Sequence, residues 1–321
     1  MKKFLLKSTL ILPIVVFLVI CEYKYRAVDN DYRYKNEWLT ENASTVQVLS
    51  LGSSHGYFGI RPSEFTLKTF NASHVAQDLY YDKFIFDKFY DELTSLEYLI
   101  LPVSCFSPFY NMETDLEAWR AHFYGLYYDC CKHQSEPLYN VKIFNHIQFK
   151  RAVRNLFHPY NDRTCLELGE KDKKYVIHED LDKSGRTHAQ RHSYDVLNWE
   201  LYDTNRQYAE DMIQCCYDRN IKVILLTTPV YATYRKHIRK EQLDAMLAFC
   251  DNLEMKYDNV IHLNFWDDPR FDKDDFADAD HLSCDIGGVK LSRILNDCIM
   301  SDFNQCSTNF ARDLDSIGLL K

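Results

Sequence analysis

The stretch Val48-Leu49-Ser50-Leu51-Gly52-Ser53-Ser54-His55-Gly56-Tyr57-Phe58-Gly59-Ile60 decides how this chain is read. Its first residues close a short apolar, β-branched run, Val46–Leu51, which predicts a strand. A turn at Gly52 follows, and then two serines, of which Ser54 is placed where a strand gives way to a helix. Gly52 to Gly56 spell G-x-S-x-G. A serine at such a turn is a cap, a turn residue or a nucleophile. Its partners elsewhere in the chain decide between these.

Downstream, strands and helices alternate. Pro62 begins a short helix to Phe70, and Ser73–Ala76 reads as a second strand. Tyr81–Leu93 reads as a helix, and Leu96–Val103 as a strand buried on both faces. After a long interval, Thr204-x-x-Gln207 is a capping box opening a helix to about Arg219. Lys222–Thr227 is a fourth strand, Lys240–Tyr257 a helix, Asn259–Leu263 a fifth strand and Gly288–Met300 a last helix. This rhythm implies βαβ units. The expected fold is a three-layer α/β/α sandwich with a mainly parallel five-stranded sheet. Residues 105–203 lack the rhythm and read as a helical insertion at the sheet's C-terminal edge, with helices near Glu113–Tyr128 and Val141–Phe157.

The partner pair lies near the end, in Asp278-Ala279-Asp280-His281-Leu282-Ser283 with Gly287 beyond. A serine hydroxyl is a poor nucleophile until a base takes its proton and a third group fixes that base. Asp278, three residues before His281, suits that third role. It would hold Nδ1 and leave Nε2 for Ser54. His55, next to Ser54, is expected to point elsewhere once the backbone turns into a helix. The acidic run Asp267–Asp280 lacks the glycine of a calcium loop and reads as a solvated loop carrying Asp278. No metal or organic cofactor is expected.

These two blocks resemble those of the SGNH or GDSL-type hydrolases. That family's first block is a strand ending in G-D-S, here Gly52-Ser53-Ser54, and its last is D-x-x-H, here Asp278 and His281. The likeness covers about residues 45–105 and 204–302, and 105–203 is unmatched. It implies a flavodoxin-like sheet with Ser54 as nucleophile, His281 as base and Asp278 as its orienting acid. The closest likeness is to membrane-anchored members that modify cell-surface polymers, such as alginate-acetylation proteins and the D-alanyl transfer protein of teichoic acid assembly. The resemblance therefore implies an esterase or O-acyltransferase working through an acyl-serine on an acylated carbohydrate, beside a membrane-bound O-acyltransferase partner. An α/β-hydrolase, for which G-x-S-x-G is the nucleophile elbow, is disfavoured. Here the serine follows the first strand, the Asp and His are three apart, and no HGGG-like loop precedes the serine.

Three departures matter. Ser53 replaces the family's Asp, the second-block glycine is not evident in Asn71–Asp78, and the G-x-N-D block is replaced by Pro102-Val103-Ser104-Cys105. Oxyanion donors are then sought at the Ser54 N–H, Asn71, Gln77 and Ser104. A catalytically weak or inactive protein of the same fold, binding a glycan or the acyltransferase, is the alternative. Tyr231, Tyr234 and Arg235 follow the fourth strand and are candidates to line the substrate cleft. The Arg186–His192 cluster reads as surface polarity or an anionic-glycan contact.

The ends complete the organisation. Lys2, Lys3 and Lys7 flank an uncharged run from Ser8 to Cys21. Fourteen helical residues span about 21 Å against a hydrocarbon core of roughly 30 Å. Counting from Phe4, with Lys7 snorkelling, nearly closes the gap. Residues 1–25 are thus expected to be a single-pass anchor, with a cleaved signal peptide as the rival. The body would face the periplasmic or extracellular side of a bacterial cytoplasmic membrane. A polar stalk over 26–44, the α/β domain over 45–302 and a tail over 303–321 follow. A net charge of −9 with no basic stripe makes nucleic acid an unsuited partner.

Overall fold

The computed structural model describes residues 2–130, 153–154, 156–158 and 161–301, with side chains from residue 11. The expected helix Val141–Phe157 lies largely outside these residues, and the tail 303–321 wholly so. The chain divides into two compact units, Met1–Glu37 with Leu116–Arg163, and Trp38–Asp115 with Thr164–Lys321. The stretch 105–203 is therefore shared between them.

In the first unit, α1 runs over Lys2–Arg26. The polar stretch after it is helical as α2, Asp31–Asn42, which continues into the second unit. Among the described residues no helix is long and apolar enough to cross a membrane. Glu113–Tyr128, expected as one helix, is instead two single 3₁₀ turns followed by α5, Ala121–Tyr127.

The second unit carries the sheet. Its strands are β1 (Val48–Ser50), β2 (Thr69–Asn71), β3 (Tyr98–Pro102), β4 (Lys222–Thr227) and β5 (Val260–Asn264). All pairings are parallel, in the order β2-β1-β3-β4-β5. Among the described residues, the helices of this unit are α3 (Ser54–Gly59), α4 (Leu79–Phe89), α6 (Leu181–His192), α7 (Trp199–Asp218), α8 (Ala232–Arg235), α9 (Lys240–Lys256) and α10 (Gly287–Met300). The strands are apolar on both faces because helices cover both. Ile100, Ile224, Leu226, Ile261 and Leu263 pack with Leu291, Leu295 and Ile299 of α10. The alternate residues Leu99, Leu101, Val223 and Leu225 are fully buried on the opposite side. The α/β/α sandwich with a five-stranded parallel sheet is thus the fold of this unit.

Two elements differ from their sequence reading. The second strand is Thr69–Asn71, not Ser73–Ala76, and Pro62–Phe70 holds only a 3₁₀ turn over Pro62–Glu64. Three buried residues pairing β1 on one side, with Asn71 N–H donating to Leu168 O on the other, are too short a run for periodicity to locate. Helix α7 begins at Trp199, capped by Asn198, whose side chain accepts from Leu201 N–H at 3.1 Å. Thr204 is interior, and its hydroxyl donates back to Glu200 O at 2.9 Å.

This strand order has a consequence for ligands. The chain leaves β1 toward β2 and then crosses to β3 on the other side. The loops after β1 and β3 therefore diverge and open a crevice at the C-terminal edge of the sheet.

Candidate active site

Ser54 is built into that crevice by the turn after β1. Gly52 adopts φ +108°, and its N–H donates to Asp82 Oδ1 of α4 at 2.7 Å. Ser53 caps α3, accepting from His55 N–H, so Ser54 becomes the first residue of the helix. Its N–H is then among those a helix leaves without an intrahelical acceptor.

His281 arrives on the loop between β5 and α10. Phe276 and Leu282 form an isolated antiparallel bridge, and Ala277 N–H donates to His281 O at 2.9 Å. Inside this turn, Asp278 Oδ1 accepts the N–H groups of Asp280 and His281 at 2.8 and 2.9 Å. Ala279 is pinned from two sides, its N–H donating to Ser184 Oγ and its O accepting from Tyr231 N–H. The loop then closes under α10, where Gly287 is required. A Cβ there would lie 2.1 Å from Asp275 O.

The outcome is a linear array. His281 Nδ1–H donates to Asp278 Oδ2 at 2.9 Å, and in the neutral ring Nε2 accepts the Ser54 hydroxyl at 2.8 Å. Ser54 and His281 are half-buried and Asp278 is buried. Burial opposes the charge on Asp278, but His281 and His188 outweigh it and hold the carboxyl well below the usual range. Burial likewise opposes the His281 charge, and Asp278 with Asp280 outweighs it, pushing the imidazole up to about 9.

The structure thus brings Ser54, His281 and Asp278 together, 227 residues apart in sequence for the first pair. It does not bring the other candidates to the same task. Asn71 is fully buried, and its Nδ2 donates to Gly56 O and Ile60 O at 2.9 and 3.0 Å, tying α3 to β2. Gln77 Nε2 donates to Asp82 Oδ1. Ser104 Oγ bonds His55 Nδ1. Of the expected oxyanion donors, the Ser54 N–H, at the first position of α3, is the one without an intrahelical acceptor. Tyr234 is fully buried behind the site, its hydroxyl between His192 Nδ1 and Cys105 Sγ. Tyr231 packs against Phe276, and Arg235 donates to Val230 O at 2.6 Å. Tyr234 is thus too deeply buried to line a cleft, while Tyr231 and Arg235 are half-buried.

Four residues that the sequence did not assign to the catalytic array also converge here. His55 does not turn away. Its Nε2 bonds Asp280 Oδ1 at 2.9 Å. From α6, His188 Nδ1 lies 3.4 Å from Asp278 Oδ1, and His192 Nδ1 lies 3.5 Å from Asp280 Oδ2. The available signals were the D-x-D-H spelling and two histidines four apart on one helix face. His55, Asp280 and His281, and likewise His188, Asp278 and His281, are close enough to share one metal ion. Yet the first set already has hydrogen bonds from His55 on both sides, and the second has the Asp278–His281 bond.

Comparison with known proteins adds little to this. A family model described as "Protein of unknown function (DUF1574)" matches residues 142–286, a span that includes Asp278 and His281 but not Ser54. No curated protein matches the chain. Among solved structures, one described as a "putative acylhydrolase" from Bacteroides fragilis NCTC 9343 aligns at 9% identity with a TM-score of 0.38. The alignment covers 85% of this chain and 95% of that one.

Proposed function

We propose that this protein is a serine esterase or O-acyltransferase that works through an acyl-serine on Ser54. The observation that carries the proposal is the Ser54–His281–Asp278 array at the mouth of the β1/β3 crevice. In the reaction, the Ser54 hydroxyl gives its proton to His281 Nε2 as Oγ bonds the acyl carbon. The Ser54 N–H faces the oxygen that becomes negative. His281 then returns the proton to the leaving alkoxide, and water or a second hydroxyl repeats the steps in reverse. Asp278 fixes the tautomer and faces the positive ring.

The finer parts of the proposal rest on the SGNH resemblance and on the N-terminus. The resemblance supports an acylated carbohydrate of a cell-surface polymer as substrate and a membrane-bound O-acyltransferase as partner. For a membrane location, the support is Lys2, Lys3 and Lys7 together with the exposed Ile11, Leu12, Ile14 and Val19 of α1.

Purified full-length protein is expected to hydrolyse a chromogenic acetyl ester and to react with a fluorophosphonate. Ser54→Ala and His281→Ala should each lower turnover at least about a thousandfold, and Ser54→Ala should abolish labelling. Turnover that survives both changes sinks the mechanism. One observation favours a second reading, a binding protein with weak catalysis. With Asn71, Gln77 and Ser104 engaged elsewhere, the oxyanion loses a side-chain donor worth about 3 kcal/mol. Folded protein that the fluorophosphonate leaves unlabelled would support that reading.

A further inference from the structure

The array of Ser54, His281 and Asp278 leaves a second buried carboxylate in the same site unused. The Asp280 side chain is 0% exposed, and three imidazoles surround it. Its Oδ1 accepts from His55 Nε2 at 2.9 Å. Its Oδ2 lies 3.7 Å from His281 Nε2 and 3.5 Å from His192 Nδ1, and the buried Tyr234 hydroxyl also faces this carboxylate. His55 is itself held, its Nδ1 accepting the Ser104 hydroxyl. Ser104–His55–Asp280 repeats the order of groups in a nucleophilic relay. Ser104 is only 3% exposed and His55 4%, which bars substrate and leaves the trio as a support.

We propose that Asp280 is a positioning residue of the relay, a second carboxylate clamped by His55 and Ser104 that stabilises the charge His281 acquires on taking the Ser54 proton. This rests on the acyl-serine reading. In that step the Ser54 O–H bond breaks and Nε2–H forms, while the oxygen's electron pair goes into the new bond to the acyl carbon. The ring gains one positive charge at the nitrogen nearest Asp280. A separation of 3.7 Å is too long for a hydrogen bond, but it is a strong ion-pair distance where water is excluded.

The other groups facing His281 do not reproduce this effect. Asp278 acts on Nδ1, from the far side of the ring. From α3 come Ser54, the His55 ring at 5.3 Å and the Phe58 ring at 4.9 Å. From α6 comes the His188 ring at 6.1 Å, and just before that helix is Glu179, a more remote anion. The Asp278 carboxylate, 3.4 Å from His188 Nδ1, raises that imidazole, so His188 partly offsets the two aspartates. Burial pushes His192 down to about 4, which keeps it neutral. Among the described residues, Asp280 is thus the one carboxylate within 4 Å of Nε2.

The test is an NMR titration of the full chain with ¹⁵N-labelled histidine, following His281 in wild type, Asp280→Asn and His55→Gln. Wild-type His281 is expected to titrate above 8. Asp280→Asn should lower that midpoint by at least about one pH unit. His55→Gln loosens the clamp but keeps the charge, so it should move the midpoint less than half as far. The acid limb of kcat/KM on the acetyl ester should shift with the Asp280→Asn titration. A wild-type midpoint at or below about 6.5 overturns the proposal whether or not the variants fold. So does an unmoved midpoint in folded Asp280→Asn, or equal shifts in both variants. Turnover that survives Ser54→Ala would instead sink the acyl-serine reading, and the titration does not depend on turnover.

Discussion

Asp278 puts one carboxylate to two uses. Its Oδ1 ties down the backbone N–H groups of Asp280 and His281, and its Oδ2 holds His281 Nδ1. Asp278→Asn keeps the shape and an acceptor for the backbone, but its amide invites the wrong imidazole tautomer. The expected outcome is a fall in kcat of about 10⁴ with KM little changed, measured on the acetyl ester. A loss under tenfold would mean that Asp278 is only a loop residue. That Asp278, His281 and Ser54 were readable from the sequence follows from their local patterns, a strand-end serine and a three-residue spacing. His55 and Asp280 were not readable, because neither stands in a pattern of its own. His55 was expected to turn away with the helix, and Asp280 read as one more acid of a solvated loop, so only the fold shows their bond. Asn71, Gln77 and Ser104 misled for a related reason. The sequence shows that a side chain can donate, but not which acceptor has already taken its protons.

At the scale of elements, the turn after β1 sets where the nucleophile stands. Gly52 is in the left-handed half of backbone space, and a Cβ there would meet Pro102 Cδ at 3.0 Å. Pro102 ends β3, so the two strands that frame the crevice touch at this glycine. Gly52→Ala is expected to cost roughly 1–3 kcal/mol, from the disfavoured φ and the crowded contact. It should lower the urea midpoint with an unchanged slope. The same strain displaces Ser54, so kcat should fall more than stability alone explains. A variant with wild-type midpoint and wild-type kcat would show that the turn is not a constraint. The element order was legible because β3 and β4 are long apolar runs and α9 and α10 keep helical spacing. Strand β2 was not legible. Three residues carry no period, and its boundary is fixed by the partner strand and by Leu168 O. The start of α7 was misplaced because Asn198 competes with Thr204 as a cap, and only the fold shows which side chain meets a free N–H.

For the whole molecule, the buried titrating groups set opposite demands on stability and on catalysis. Asp278 and Asp280 are held low, so their contribution is present above the unfolded carboxylate range near 3.8 and is lost as pH falls. His192, lowered to about 4 by burial, also costs stability as pH falls through 6.5 toward 4, because the unfolded chain takes that proton first. Asp82, raised to about 7 by burial, acts the other way. Its contribution is full below 3.8 and is lost as pH rises through 7, so it roughly cancels His192 over the shared window. Above 6.5 the remaining large shifts agree in sign. Burial opposes charge on His281 and His262, but neighbouring groups outweigh it and raise them to about 9 and about 10, and both contributions are lost as pH rises. Calorimetry should therefore find the highest Tm between about pH 4 and 6.5, and a fall of several degrees by pH 9. Catalysis needs the opposite state, since His281 accepts the Ser54 proton only when neutral. kcat/KM on the acetyl ester should rise about tenfold per pH unit from 6 and level off near 9. A Tm still rising between pH 7 and 9, or a rate already flat at pH 7, would contradict a site held in its protonated state by two carboxylates. The divergence has one physical source. The ion pairs that hold the Asp278–His281 loop closed are strongest in the protonation state that cannot accept the serine's proton.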